Sequence, residues 1–419
     1  MQSRTLVLAS VSVALAITWL IYRPTLDAYL LNDDFQWLVN ARRFTPGQLF
    51  EISSRQHFFR PVAEIYFYLV TSFVGQEPRT VRVASLVLHS INLILLAGLM
   101  LRLGRSGLIV ALTVLLFSTM PSYAEAVSWV SSATVLLATM FYLIALNAYL
   151  RFVDSADERF RWLSLASFVA AVGSHESAVT LPAALLTVDA FRGPLRTTVG
   201  SRAWWASAAR RQWPFFAVLA GYLSLELAIN RRNYVVVEGH YRPGHHVITN
   251  ALRYITALYV GRNTPWSYVM VTLAIGSIVA WGGRLPRVLT ILLLTMLVPV
   301  LPFTWANTSR YTYLPAMMFA GLTAALLAAG RDRLSVISRG TAWTLLTLIT
   351  AFLVVRFGRW SVEAGRDYHR VTYASEQCAR AVRERGFRGE SDVAACAGVA
   401  GSYRQALEEY ERGRVRRPR

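Results

Sequence analysis

The chain has 419 residues, of which 54% are hydrophobic and 16% are charged, and its mean hydropathy is +0.38. Apolar runs without charge recur from end to end, which is typical of an integral membrane protein and excludes a soluble globular domain. The formal net charge is +19, and the chain has no compact basic soluble region that would bind nucleic acid. The positive charge therefore indicates in part how the chain is oriented in the membrane and in part a membrane partner that carries phosphate.

Eleven apolar stretches predict membrane-spanning helices. A helix needs about 20 mainly apolar residues to cross the hydrocarbon layer, and residues 5–22 and 130–150 approach this length without one charged side chain. The other stretches are 83–101, 106–120, 162–174, 177–190, 213–230, 267–282, 287–303, 311–330 and 340–356. We therefore predict an all-α polytopic membrane protein with about 11 transmembrane helices in residues 1–357, followed by a short basic carboxy-terminal tail, 358–419.

The arginines predict how these spans are oriented. All basic residues are arginines, and their clusters between spans face one side only if 162–190 crosses the membrane twice. The positive-inside rule makes that side the cytoplasm, which places the amino terminus inside and, by parity, the tail outside. A chain without lysine is typical of a GC-rich bacterial genome, so we expect a multi-pass protein of the bacterial cytoplasmic (inner) membrane.

Three candidate sites lie in the first two predicted external loops. In LNDDFQWL, Asp33 and Asp34 follow the first span; acids at a membrane edge indicate a site, and a helix cap or solvated turn is the alternative. Arg60 precedes proline in the amphipathic stretch HFFRPVAEIYFYLV, for which an interfacial helix is the alternative. Glu125 stands alone among the apolar and aromatic residues of PSYAEAVSWV.

Two more candidate sites lie in later external loops. His175 and Glu176 in SHES join two apolar arms that are too short to cross a core of about 30 Å, so the hairpin is predicted to line a cavity. The alternative is a structural histidine bonded to a neighbouring helix. Arg310 in SRYTYLP lies at the mouth of a span, where a snorkelling anchor is the alternative. Cys378 and Cys396 lie in the tail, and the sequence leaves open whether they pair.

The order of these sites among the spans resembles that of the GT-C glycosyltransferases, and within them the protein O-mannosyltransferases that carry tetratricopeptide repeats and their bacterial relatives. The resemblance covers roughly residues 1–330, through the aspartates of the first loop, FFRPV, AEAV, SHESAVTLP and SRYTYLP. The chain departs from the family in two ways. His175 stands where lysine is usual, so a fixed charge becomes a titratable one, and only GSYRQALEEYERG hints at a repeat helix.

The resemblance implies a GT-C transmembrane domain with an amphipathic first external loop. It implies inverting transfer of a sugar, of which mannose is the family's example, from a polyprenyl-phosphate carrier to a hydroxyl of a protein, lipid or glycan on the outer face. One carboxylate of Asp33 and Asp34 would be the base and the other would orient it. The phosphate would be held by Arg310, Arg60 and His175, and the positioning residues would be Glu125, Glu176, Tyr311 and Tyr313. No metal-ligand spacing is present, and a divalent cation between the aspartates and the phosphate stays open.

Other classes of membrane protein remain as alternatives. A lipid-linked glycan ligase or polymerase would share the carrier and the membrane side, but it would concentrate its polar residues in a large late external loop. A transporter should show repeat symmetry between its halves, which we do not find in the sequence. A non-catalytic scaffold would tolerate loss of both aspartates. The identities of the sugar and the acceptor are not determined by the sequence.

Overall fold

The computed structural model describes residues 2–50, 58–104, 106–192, 199–231, 233–259, 263–304, 309–384 and 395–415. Helices make up the regular structure of these residues, and the strand-like contact among them is an isolated bridge between Tyr241 and Phe303. The helices are α1 Gln2–Tyr22, α2 Asp33–Arg43, α3 Pro61–Phe73, α4 Pro78–Gly104, α5 Gly107–Thr119, α6 Ala124–Ser128, α7 Ala133–Ser155, α8 Glu158–Val172, α9 Leu181–Arg192, α10 Arg202–Asn230, α11 Tyr234–Val237, α12 His246–Tyr259, α13 Pro265–Trp281, α14 Arg284–Leu297, α15 Tyr313–Ser335, α16 Arg339–Glu384 and α17 Gly401–Val415. The predicted all-α class is confirmed.

Six described segments are long and apolar enough to span a membrane, and a seventh results if α5 and Pro121–Ser128, bent by 53°, count as one. The six are Arg4–Asp27, Pro78–Gly104, Val130–Ser155, Arg202–Asn230, Ser309–Ser335 and Arg339–Glu384. All eleven predicted apolar stretches coincide with helices, and the chain is a multi-pass membrane protein. The count of eleven spans is not confirmed, because α8, α9, α13 and α14 are too short to qualify alone.

Proline ends one apolar stretch and interrupts another. Pro121 begins a 3-10 turn one residue after the end of α5, just beyond the stretch 106–120, and Pro299 lies within 287–303 in the 3-10 turn that follows α14. Proline has no N–H to donate and its ring clashes with the preceding helical turn, so an α-helix does not continue regularly through it. Glu125 follows the first break and Phe303 follows the second.

The centre of the bundle consists of α4, α5, α7 and α15, with α1, α14 and α16 packed around them. Small residues on α15 allow close approach of its neighbours, which stabilises helix association in a membrane through van der Waals contact. At Gly321, an added Cβ would lie 2.8 Å from Sδ of Met100 on α4. A larger residue at this position would therefore require the Met100 side chain to move.

The carboxy-terminal tail packs against the region between α1 and α4. α17 packs against α2, where Arg42 donates to the carbonyl of Tyr410 at 3.1 Å and the Tyr410 hydroxyl donates to the carbonyl of Gln76 at 2.7 Å. A disulfide joins Cys378 on α16 to Cys396 in the turn before α17. The two cysteines therefore pair, and α17 lies on the same side of the bundle as α2.

Opening this disulfide should loosen the tail from α2. The bond closes a loop with a sequence separation of 18 residues, for which the chain-entropy argument gives about 3 kcal/mol. We expect a reductant to raise hydrogen–deuterium exchange in α17 and to leave exchange in α4, α5 and α15 unchanged. The double variant Cys378→Ser/Cys396→Ser is the control, since its α17 should exchange fast with or without reductant. Equal exchange in oxidised and reduced wild-type protein would contradict the prediction.

Candidate active site

A cavity of about 930 Å³ lies between α2, α3, α17 and the turns that precede α7 and α15. The predicted site residues that line it are Asp33, Arg60, His175, Arg310 and Tyr311. Those outside the lining are Asp34, Glu125, Glu176 and Tyr313. The structure therefore brings together residues that are far apart in sequence.

The two aspartates at the start of α2 face different surroundings. Asp33 lines the cavity, whereas the side chain of Asp34 is completely buried. Both lie in the first turn of α2, where negative charge complements the helix dipole, and Arg42 and Arg43 lie in the last turn. Adjacent residues on a helix point about 100° apart, and in this pair Asp33 faces the cavity while Asp34 faces Ser131 in the turn before α7.

Asp34 fastens α2 to the turn before α7. Its Oδ1 accepts hydrogen bonds from the backbone N–H and the hydroxyl of Ser131, at 2.7 and 2.6 Å, and its Oδ2 accepts from the N–H of Leu31 at 2.9 Å. Burial raises the pKa of Asp34 to about 6, against the opposing effects of the Arg82 charge and these donors. Because both of its oxygens accept hydrogen bonds, Asp34 holds the start of α2 against the turn before α7.

Arg82 is the buried cation behind Asp34. Its side chain is 2% exposed and donates to the carbonyls of Ala28, Ser128 and Tyr29. The sequence analysis did not select Arg82, although an arginine at the edge of an apolar stretch was the available signal. Since a buried charge is costly unless it is hydrogen-bonded, these three bonds fix the segment that leads into α2 relative to the end of α6.

Arg60 and Glu176 form a fork on one wall of the cavity. Arg60 Nε donates to Oε2 at 3.0 Å, and Nη2 donates to Oε1 and Oε2 at 2.8 and 2.7 Å. Although burial raises the pKa of Glu176, the charge of Arg60 brings it down to about 2. The N–H of Val62 donates to the carbonyl of Gly173 at 2.9 Å, and a Cβ at Gly173 would meet Val62 at 2.8 Å. Glycine there allows the close approach that brings the fork together.

His175 lies beside this fork as a neutral side chain. Burial, more than the charges of Arg60 and Arg310, lowers its pKa to about 3, against the raising effect of Glu176. Nδ1 accepts from the N–H of Ser177 at 3.2 Å, which places the ring proton on Nε2, 3.5 Å from Oε1 of Glu176. Its predicted contact with phosphate would thus come from a neutral N–H donor.

Arg310 and Glu125 form a second ion pair, and Arg310 lines the cavity next to Tyr311, whose ring centre lies 6.4 Å from that of His175. Arg310 Nη1 lies 3.2 Å from Oε1 of Glu125, and Oε2 of Glu125 accepts from the hydroxyl of Ser309 at 2.9 Å. The guanidinium carbon lies 4.5 Å from the centre of the Trp129 ring, a distance at which the ring face attracts a cation. Tyr311 stacks on Phe303 with ring centres 5.8 Å apart, which holds the arginine–tyrosine turn in place.

Tyr313 lies in the core of the bundle. Its hydroxyl is 2.7 Å from Nδ1 of His89, and it accepts from the amide of Asn92 at 3.3 Å. The side chain is completely buried and does not line the cavity. Its place in the motif therefore reflects packing of α15 against α4, because a residue two positions from Tyr311 turns to another face of the chain.

The cavity contains residues that the sequence analysis did not select. From α2 and the following turn these are Gln36, Trp37, Asn40, Arg43, Phe44 and Gln48, from α3 Glu64 and Phe67, and from α17 Ser402 and Tyr403. The residues from α2 recur at helical spacing, and this spacing could have indicated that they share one face of the helix. No signal in the sequence indicated that α17 would return to α2.

Among the residues that the structure describes, no group of three or more His, Cys, Asp or Glu side chains could hold a metal ion. Because Asp34 already accepts hydrogen bonds from Ser131 and Leu31, a divalent cation between the aspartates and a phosphate would have Asp33 and substrate oxygens as its ligands.

Neither a protein-family model nor a curated protein sequence matches the chain. An oligosaccharyltransferase of Archaeoglobus fulgidus, tethered with an acceptor peptide containing the NVT sequon, matches with a TM-score of 0.57 and 12% identity over 92% of this chain and 59% of that chain. Its apo form matches with a TM-score of 0.55 and 9% identity over 91% and 60%. The chain has the GT-C fold.

ArnT from Cupriavidus metallidurans in the apo state also matches, with a TM-score of 0.47 and 13% identity over 99% of this chain and 77% of that chain. The chain spans about three fifths of the length of the two archaeal structures. At these identities the likeness concerns the fold. The predicted GT-C type of the transmembrane domain is confirmed, and the roles of its residues stay predictions.

Replacing Asp34 should lower the stability of the protein much more than replacing Asp33. Asp34→Ala leaves the N–H groups of Ser131 and Leu31 without an acceptor, and each buried group so orphaned costs about 1–3 kcal/mol. We expect a clearly lower unfolding temperature for Asp34→Ala in detergent, and a change within about 0.5 kcal/mol for Asp33→Ala. Equal destabilisation by the two substitutions would show that Asp34 is not the anchor.

Acid should destabilise the protein through His175. Burial lowers its pKa from 6.5 to about 3, so its contribution to stability is fully present above pH 6.5 and is lost as the pH falls towards 3. At pH 5 the loss is about 2 kcal/mol. Thermal unfolding of the His175→Gln variant should therefore depend less on pH between 7 and 5 than that of the wild type. An unchanged dependence would mean that His175 is not buried as a neutral ring.

Proposed function

We propose that the chain is a membrane glycosyltransferase that moves a sugar from a polyprenyl-phosphate carrier to a hydroxyl acceptor, with inversion at the anomeric carbon. The observation that carries this proposal is the shared cavity of Asp33, Arg60 and Arg310, which combines one carboxylate with two guanidinium groups in a GT-C bundle. A carboxylate is suited to accept a proton, and guanidinium groups are suited to bind phosphate.

The chemistry follows from these three groups. Asp33 accepts the proton of the acceptor hydroxyl while that oxygen attacks the anomeric carbon from the face opposite the phosphate. The bond from the anomeric carbon to the phosphate oxygen breaks, and its electron pair leaves with the carrier phosphate. Since phosphate departs as an anion, no general acid is needed, and preorganised cations stabilise the developing charge.

The two ion pairs leave donors for the phosphate. An arginine carries five N–H donors, and Arg60 directs Nε and Nη2 to Glu176 while Arg310 directs Nη1 to Glu125. The guanidinium nitrogens not used in these contacts with glutamate are Nη1 of Arg60 and both Nε and Nη2 of Arg310. In this proposal Glu125 and Glu176 hold each arginine in position, His175 adds a neutral donor, and Tyr311 supports Arg310.

The donor class and the membrane side are also part of the proposal. A cavity at the ends of apolar helices favours a donor whose sugar phosphate stays attached to a membrane-embedded chain. The arginine distribution favours an outward-facing cavity in the bacterial cytoplasmic membrane, and mannose is the first sugar to test. The archaeal oligosaccharyltransferase that shares the fold has an acceptor peptide as its partner, so peptide acceptors belong in the same assay.

Removal of the base should abolish transfer without loss of the fold. We expect Asp33→Asn to lower turnover by about 10²- to 10⁴-fold, measured as labelled sugar transferred from a polyprenyl-phosphate donor by purified protein. Arg310→Gln should weaken donor binding, because fewer N–H groups remain for the phosphate.

A matched control lies in the same segment of the chain. The Asp27 side chain is 68% exposed and pairs with Arg79 at 3.5 Å, outside the cavity, so Asp27→Asn should keep wild-type turnover. Asp34→Asn should transfer sugar at a near-normal rate per folded molecule, because the amide oxygen of asparagine can still accept from Ser131 and keep α2 in place. Wild-type turnover in folded Asp33→Asn would refute the assignment of the base.

A further inference from the structure

The cavity face of α2 forms a track that leads away from Asp33. Its lining residues are Asp33, Gln36, Trp37, Asn40 and Phe44. Residues three, four, seven and eleven positions apart share one face of a helix, and at 1.5 Å per residue the track extends about 16 Å from Asp33. That length accommodates more than one sugar ring.

Amide and aromatic groups alternate along this track. Gln36 and Asn40 are exposed, and each amide can donate two hydrogen bonds and accept others. Trp37 is stacked on Phe67 with ring centres 4.8 Å apart, and Phe44 lies 5.0 Å from Tyr68. A sugar ring has an apolar C–H face and a rim of hydroxyls, which match a fixed aromatic ring beside neutral amides.

The tail supplies another wall of the same region. Ser402 and Tyr403 of α17 line the cavity, which adds a hydroxyl and an aromatic ring to the track. Arg43 pairs with Glu409 of α17, so the charges at this end of the cavity balance. A ligand that lies here meets polar groups with little net charge.

Other acceptor chemistries fit the track less well. Peptides are commonly captured as an added strand on a sheet edge or as an amphipathic helix in an apolar groove. The described cavity lining contains no strand, and the track is not apolar. An acyl chain along it would bury the amides of Gln36 and Asn40 without hydrogen-bond partners, which is costly.

We infer that the acceptor is a neutral oligosaccharide that lies along α2 between Asp33 and α17. The hydroxyl that receives the transferred sugar lies at the Asp33 end, and the rest of the chain extends towards Tyr403. The inference rests on the proposed function and deepens it, because it assigns the acceptor class of the same cavity.

The test offers purified wild-type protein one labelled polyprenyl-phosphate sugar with three sets of acceptors. These are neutral linear tetrasaccharides of mannose, glucose, galactose or N-acetylglucosamine, serine- and threonine-rich peptides, and a diacylglycerol glycolipid in mixed micelles. We expect transfer to a tetrasaccharide. For that acceptor, the Gln36→Ala/Asn40→Ala and Trp37→Ala variants should raise KM at least tenfold, with the KM for the donor unchanged.

Two controls match these variants by residue type. Gln405 is exposed on α17 and Trp266 is 79% exposed at the start of α13, and neither lines the cavity, so Gln405→Ala and Trp266→Ala should keep the wild-type KM. Sugar transfer to the peptide or the glycolipid instead, or an unchanged KM in the α2 variants, overturns the acceptor assignment and leaves sugar transfer intact. If the protein transfers sugar from the donor to none of the acceptors, and also does not hydrolyse the donor when no acceptor is present, the proposed function itself is overturned.

Discussion

The burial of Arg82 is the constraint on which the cavity depends. A charge that is 2% exposed must be satisfied by hydrogen bonds, and Arg82 finds its acceptors in the carbonyls of Ala28, Tyr29 and Ser128. These carbonyls belong to the segments that lead into α2 and out of α6. The position of Asp34 against Ser131 follows from this arrangement, and with it the direction in which Asp33 points.

The arginines that line the cavity are paired with glutamates: Arg43 with Glu409, Arg60 with Glu176 and Arg310 with Glu125. In the proposed function, Arg60 and Arg310 held in this way would keep their geometry before the ligand arrives, and little reorganisation would be needed as negative charge develops on a leaving phosphate. The neutral state of His175 fits the same arrangement, since a third cation in this buried region would raise its electrostatic cost.

The tail gives the cavity a boundary that the transmembrane bundle lacks. α17 is attached to α2 by hydrogen bonds to Arg42 and to α16 through the disulfide of Cys378 and Cys396. Tyr403 of α17 contributes to the cavity lining. Under the proposed function, a loosened tail would therefore affect acceptor binding before it affected the phosphate.

The sequence by itself determined the helical membrane class, the helical position of every apolar stretch and five of the cavity residues, because apolar length and isolated polar groups at span ends are local signals. It did not determine which aspartate faces the cavity, since Asp33 and Asp34 differ only in what surrounds them. The role of Arg82 and the return of α17 were decided by tertiary structure, because their partners are far away in sequence. The predicted count of eleven spans is not confirmed, since breaks such as Pro299 shorten helices that hydropathy treats as continuous.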